Sequence, residues 1–185
     1  MGILLPRTTC YLPFSQTDET LHFDPGTGLP ADWFNGNCGN SAHVAREKKC
    51  RFSLVLHAWL PPEALSEADA ADEKLMHRGR DADWPWELEN GTKVTLEDVG
   101  RGEFSHVYTA AGWHPVHCAY VWKRLHRTLV VRAGEQMKMI DAYTGSLKHM
   151  EHCVGILSGG KKHGHDNGED SRSVVYAKFP RCAYI

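Results

Sequence analysis

Apolar positions recur along this chain in helical and alternating registers, and the helical ones are the more distinct. Residues 115–131 carry the strongest helical pattern: Val121 and Leu125 continue the face begun by His114, His117 and Cys118. A second helix is predicted over 143–157, where Ile156 and Leu157 extend the face bearing His149, His152 and Cys153. Residues 41–49 read as a short helix capped by Ser41. Residues 62–77 are acidic and alanine-rich, a solvent-facing helix after the break at Pro61-Pro62. Residues 52–59 are apolar around Leu54-Val55-Leu56, and residues 83–86 form a turn with two anchors, Trp84 and Trp86. The turn at Asn90-Gly91 precedes a strand-like alternation over 93–99, and two further strands are expected over 104–110 and 173–179. Residues 1–37 read as a loop-rich arm, and residues 159–168 as a polar loop. The pattern predicts an α+β fold: a helix-rich single domain over 38–185, its two main helices packed face to face beside a few short strands.

Composition narrows the function classes. Hydrophobic residues are 42% and charged residues 24% of the 185, so the chain can bury one core rather than stay disordered. A net charge of −2 argues against nucleic acid as a partner, since a phosphate-tracking groove needs a basic surplus. No apolar run approaches the roughly 20 residues that cross a bilayer, and the opening residues do not read as a signal peptide. No phosphate loop, dinucleotide fingerprint or haem-attachment pattern occurs. Six cysteines contain no CxxC, which excludes a zinc ribbon or a thioredoxin-type site. Their even number suits disulfides in an oxidising, secretory-pathway lumen, with free buried thiols in a reducing, cytoplasmic compartment as the alternative; the sequon Asn90-Gly91-Thr92 leans towards the lumen.

Histidine changes the picture most. Twelve are present, and four of them fall in a repeated pattern. His114-Pro115-Val116-His117-Cys118 and His149-Met150-Glu151-His152-Cys153 are both HxxHC, 35 positions apart. On a helix, positions i and i+3 share a face and i+4 lies beside them. Each helix therefore presents two imidazoles and a sulfur on one interior stripe. Two such helices face to face bring His114, His117, His149 and His152 together, in the way bundle metal sites are built. A mostly histidine site with an open position points to redox copper or catalytic zinc. Cys118 and Cys153 either add soft ligands or staple the two helices as a disulfide, and the second arrangement suits an oxidising lumen. Glu151 points away from its flanking histidines, and Trp113 reads as packing. His57, His106 and His126 are weaker ligand candidates, and residues 163–166 read as a solvated loop.

These residues resemble the UstYa-like family, fungal oxidases of secondary-metabolite and ribosomal-peptide pathways. The doubled HxxHC carries the likeness. Cys38-Gly39-Asn40-Ser41, Cys50-Arg51-Phe52, Trp59-Leu60-Pro61-Pro62-Glu63, Ile140-Asp141 and Lys178-Phe179-Pro180-Arg181-Cys182 extend it over 38–182. The resemblance implies a copper-dependent oxidase in which His114, His117, His149 and His152 are needed for oxidative cyclisation, hydroxylation, dehydrogenation or chlorination. It also implies molecular oxygen and a small-molecule or peptide natural product as partners. The homodimer is left open. Relatives usually carry an N-terminal membrane anchor that this chain lacks, and a cysteine where it has Ala64. Cys38, Cys50, Cys10 and Cys182 are thus the remaining disulfide candidates, with Cys10 able to replace the usual partner of Cys182. Two alternatives use the same histidines. One is a non-redox cyclase or isomerase with acid–base or zinc-bound imidazoles. The other is an accessory binding protein built on structural zinc.

Overall fold

The structure, a computed structural model, describes residues 36–78, 84–130, 139–159 and 172–184. The expected arm over 1–37 lies almost wholly outside the described residues, as do Cys10 and the loop residues 163–166. The described part is a single α+β domain in which three small antiparallel sheets frame two principal helices.

Helix α1 (Ala42–Glu47) forms where Ser41 accepts a hydrogen bond from the Val44 amide, the cap anticipated for this segment. The apolar run after it is no single element. It folds into β1 (Arg51–Ser53) and β2 (Ala58–Leu60), an antiparallel pair whose connection buries Val55, Leu56 and His57. His57 takes a left-handed backbone, φ 51°, which a non-glycine residue adopts only at a cost.

Two elements correct the sequence expectation. The acidic stretch begins with a 3-10 turn at Pro62–Ala64, and α2 (Glu67–Arg78) follows once Ser66 and Asp69 cap each other reciprocally. This helix is not simply solvent-facing, because Asp69 and Asp72 are buried. Its acidic side is drawn onto a basic helix described below. The expected strand over 93–99 is only two residues long, at β4 (Lys93–Val94). Thr95 and Asp98 then form a capping box that starts α3 (Leu96–Gly100), so local side-chain hydrogen bonds override the alternation. Ahead of β4, the anticipated aromatic turn contains β3 (Trp86–Glu87). With β5 (His106–Ala110) and β7 (Arg172–Tyr176) these make the largest sheet, in the order β4-β3-β5-β7.

Helix α4 (Trp113–Leu129) starts two residues ahead of its expected start. Pro115 is harmless there, because first-turn amides have no helical partner to lose. The second motif helix is interrupted. Asp141 caps α5 (Ala142–Gly145), and Ser146 caps α6 (Leu147–Leu157) through the His149 amide. The third sheet pairs β6 (Met139–Asp141) with β8 (Cys182–Tyr184). Leu56, Leu60, Val99, Val107, Trp113 and Val121 form the main core. A smaller cluster surrounds the disulfide Cys38–Cys50 with Ala45, Trp59 and Phe179.

Helix α4 is clamped to α2 by charge. Arg127 reaches Asp69 and Asp72, and Lys123 reaches Asp72. Arg124 is buried: it donates to the Ala64 carbonyl at 2.8 Å and to Asp141 at 3.2 Å, and lies 3.7 Å from Asp69. Asp141, fully buried, also accepts from the Thr144 amide and hydroxyl. The pairing fixes α4 against the segment that leads into α6.

Candidate metal centre

Helices α4 and α6 pack through their HxxHC stripes. The Nε2 atoms of His114 and His152 lie 2.8 Å apart across the seam, with both side chains half-buried. His117 and His149 lie deeper and are buried. Glu151 is exposed, as its position on the opposite face of the helix requires.

The partners of the two deep imidazoles define their tautomers. His117 Nδ1 lies 2.6 Å from the Val55 carbonyl, which can only accept, so Nδ1 carries the proton and Nε2 the lone pair. Tyr143 donates its hydroxyl to that Nε2 at 2.7 Å. His149 Nδ1 donates to the Tyr143 carbonyl at 3.1 Å, which leaves its Nε2 as acceptor for the Cys153 thiol at 3.6 Å. Cys118 in turn donates to Cys153. That bond raises the proton affinity of Cys118, helped by burial, and lowers that of Cys153. A directed relay of donors thus runs from Cys118 through Cys153 and His149 to the Tyr143 backbone, and from the Tyr143 hydroxyl through His117 to Val55.

Burial sets the charge state. Loss of hydration holds His117 well below the usual imidazole range and His149 down at about 3, with the nearby Lys178 ammonium adding to both. Both rings are neutral near pH 7, the form that binds metals. Burial raises the Tyr143 phenol well above its ordinary range, so it stays protonated. Its ring stacks on His149 at 3.8 Å between centroids, and Lys178 Nζ sits 4.4 Å from the same ring centroid. Lys178 is itself buried. Desolvation pulls its proton affinity down to about 7, and its ammonium donates to the carbonyls of Leu56 and Tyr176.

His57 joins the cluster from the β1–β2 connection. Its ring stacks on His117 at 5.4 Å and contacts Trp113 at 5.3 Å and Trp86 at 6.0 Å. Its buried Nε2 has no hydrogen-bond partner, and desolvation holds its proton affinity well below the usual range. Trp113 packs among His57, His77, Trp84 and Trp86, the packing role anticipated for it. His126 is exposed on α4, and His106 meets Tyr108 edge-on and Tyr176 at a tilt in the large sheet, so neither is gathered here.

The four motif histidines meet at the α4–α6 seam as the sequence leads one to expect, whereas Tyr143 and Lys178 beside them were not anticipated. Lys178 had a signal, a lone cation inside the apolar run 174–180. Tyr143 had none, because its role depends on the break between α5 and α6. Cys118 and Cys153 are free thiols in this structure rather than a disulfide, as is Cys182, whose thiol burial pushes up to about 12. Of the disulfide candidates, Cys38 and Cys50 are bonded to each other. A cleft of about 170 Å³ near Val94, Val99, Phe104 and Val107 contains none of the histidines.

The donor set fits a metal ion. Two imidazole nitrogens from facing helices converge on one another, and the deep imidazoles are neutral with Nε2 unprotonated. Among the described residues, no three or more His, Cys, Asp or Glu side chains are already gathered around one point. The side chains meet as pairs.

No family model matches this chain, and no solved structure matches it. It is similar to two curated relatives from Diaporthe leptostromiformis, phomopsin biosynthesis cluster proteins B and B′. Each is 27% identical over 127 residues, which cover 65% of this chain and 36% of the relative. The chain thus spans about a third of the length of the curated relatives it matches. No helix among the described residues is long and apolar enough to cross a membrane.

Proposed function

We propose that this protein is a copper-dependent oxidase of the UstYa-like kind that tailors a fungal natural product. The observation carrying this reading is the meeting of the two HxxHC helices, with His114 and His152 Nε2 atoms 2.8 Å apart. The names of its relatives, which place them in a phomopsin biosynthesis cluster, support the biosynthetic setting. His114 and His152 would hold the metal first, and His117 and His149 stand behind them as further imidazole donors. Bound copper would supply one-electron redox chemistry with molecular oxygen at the face of a small-molecule or peptide substrate. The chain's own contribution is positional and electrostatic. Burial keeps the deep imidazoles neutral, and the packing of Trp113 and His57 excludes water from behind them. The disulfide Cys38–Cys50 supports a secretory-pathway lumen as the site of action.

A second reading keeps the site but not the redox chemistry. Two imidazole nitrogens 2.8 Å apart share a proton when no metal is bound, which is an acid–base pair suited to a cyclase or isomerase. Metal content and oxygen dependence separate the two. The oxidase reading expects copper near one equivalent per chain, lost in His114→Ala and His152→Ala without unfolding, and conversion of a precursor peptide that stops under nitrogen. Conversion that persists without oxygen or copper refutes it and supports the acid–base reading.

A further inference from the structure

Among the described residues outside the two motifs, Tyr143 touches both deep histidines by hydrogen bonds. Its hydroxyl donates to His117 Nε2 at 2.7 Å, and its main-chain carbonyl accepts from His149 Nδ1 at 3.1 Å. Its ring lies on the His149 ring at 3.8 Å. The Asp141 cap on α5 holds the residue in place, and Lys178 Nζ lies 4.4 Å from its ring centroid. The Val55 carbonyl forces the His117 proton onto Nδ1, so the only lone pair His117 can offer a metal is the one Tyr143 occupies.

We propose that Tyr143 is a positioning residue that gates metal entry by capping His117. This rests on the metal-site reading above. A copper or zinc ion is captured at His114 and His152, and it gains His117 only by displacing the phenol. In that exchange one O–H···N hydrogen bond breaks and one metal–nitrogen bond forms. The phenol keeps its proton, and His117 releases none, because its Nε2 carries none. Through its carbonyl and ring, the same residue keeps His149 oriented for the next coordination position.

The cap makes a directional prediction that a purely structural tyrosine does not. Tyr143→Phe keeps the ring stack and the carbonyl but removes the competitor for the His117 lone pair. It also leaves that nitrogen buried without a donor in the metal-free protein. Both effects favour the metal-bound state, so copper(II) and zinc(II) affinities, measured by competition with a chromophoric chelator, should rise roughly three- to tenfold. The metal-free variant should melt at a lower temperature than the wild type, and one equivalent of zinc should abolish most of that difference. An unchanged or weaker affinity in Tyr143→Phe overturns the cap, and a weaker one would mark the phenol as a supporting donor.

A measurement on the unaltered chain covers the case in which the variant does not fold. The phenolic proton of Tyr143, identified by NMR through its contact with the His117 ring, should shift or vanish on adding one equivalent of zinc. A resonance unmoved at saturation overturns the proposal. His117→Ala separates this failure from that of the underlying reading. If the wild type binds metal and His117→Ala binds it equally well, His117 is no ligand and the gate falls while a two-histidine site stands. If the wild type binds neither metal, the metal-site reading and the gate fall together.

Discussion

Arg124 is a sharp test of how the motif helices are held in register. It projects from α4 with only 5% of its side chain exposed, and Asp141, its partner, is fully buried at the start of α5. Replacing Arg124 with Met leaves the Asp141 carboxylate inside the protein with the Thr144 amide and hydroxyl as its remaining donors. Removing one member of a buried ion pair typically costs about 3–5 kcal/mol. For a domain of this size each kcal/mol lowers the melting temperature by about 2–4 °C, so Arg124→Met should melt roughly 6–20 °C early. The Arg124 Nε has no partner, so the guanidinium's own desolvation is incompletely offset. Hence Arg124→Met combined with Asp141→Asn should recover much of the loss: the buried charge is gone while an acceptor for the Thr144 amide remains. Thermal unfolding followed by far-UV circular dichroism on the two singles and the double gives the coupling directly. An Arg124→Met melting temperature within about 2 °C of the wild type, or a double variant as unstable as the sum of the singles, would refute the assignment of α4 anchoring to this pair.

Three further outcomes follow from the site and its surroundings. His149, whose folded proton affinity is lowered to about 3 against an ordinary 6.5, must be neutral in the folded state. Below pH 6.5 the unfolded chain takes up a proton that the folded one refuses, so stability present above that pH should fall progressively towards pH 3; urea midpoints should show this, with a shallower slope in His149→Gln. Cys38→Ser should lower stability by about 2–4 kcal/mol, because the Cys38–Cys50 bridge closes a short loop of sequence separation 12. The same loss should appear in the wild type on mild reduction, read by differential scanning fluorimetry with and without reductant. Asn90-Gly91-Thr92 is exposed at the β3–β4 turn, where Asn90 accepts from the Thr92 amide. If the chain folds in a secretory lumen, as its disulfide suggests, peptide mass spectrometry of protein from a fungal host should find Asn90 glycosylated; unmodified Asn90 beside an oxidised Cys38–Cys50 would count against that route.

The parts of this molecule legible in its sequence are those governed by local rules. The helical faces of the two HxxHC segments follow from a 3.6-residue period, and the structure packs them against each other at the motif residues, although Leu157, expected to extend the inner face of the second helix, is exposed. Strands β5 and β7 sit where alternation placed them. The starts of α2 and α3 also have local signals, since Ser66-Glu67-Ala68-Asp69 and Thr95-Leu96-Glu97-Asp98 both carry a capping-box spacing. Other features have no local cause. Two of the four acidic residues of α2, Asp69 and Asp72, turn inward because Lys123, Arg124 and Arg127 wait on another helix, which no window of that segment reveals. Strands β6 and β8 are three residues each and exist only because each finds the other. Tyr143 and His57 enter the site through backbone geometry that tertiary contacts impose, a helix break in one case and a left-handed turn in the other.

The strand-like segment around Lys178 has a consequence for how the chain is made. Its amide donates to the His57 carbonyl, its carbonyl accepts from the Trp59 amide, and a few residues on, Arg181 accepts from Ala142 while Cys182 pairs with Asn37. His57 and Lys178 are 121 positions apart (178 − 57), and a ribosome adding about 5–20 residues per second needs on the order of ten seconds to cover that distance. Both histidine helices are therefore synthesised before the segment that seals their inner side. Until that segment docks, the imidazole cluster lacks the contacts that Lys178 makes with Leu56, His57 and Tyr143. The docking of this late segment, and not the formation of the helices themselves, is the step that closes the inner side of the cluster.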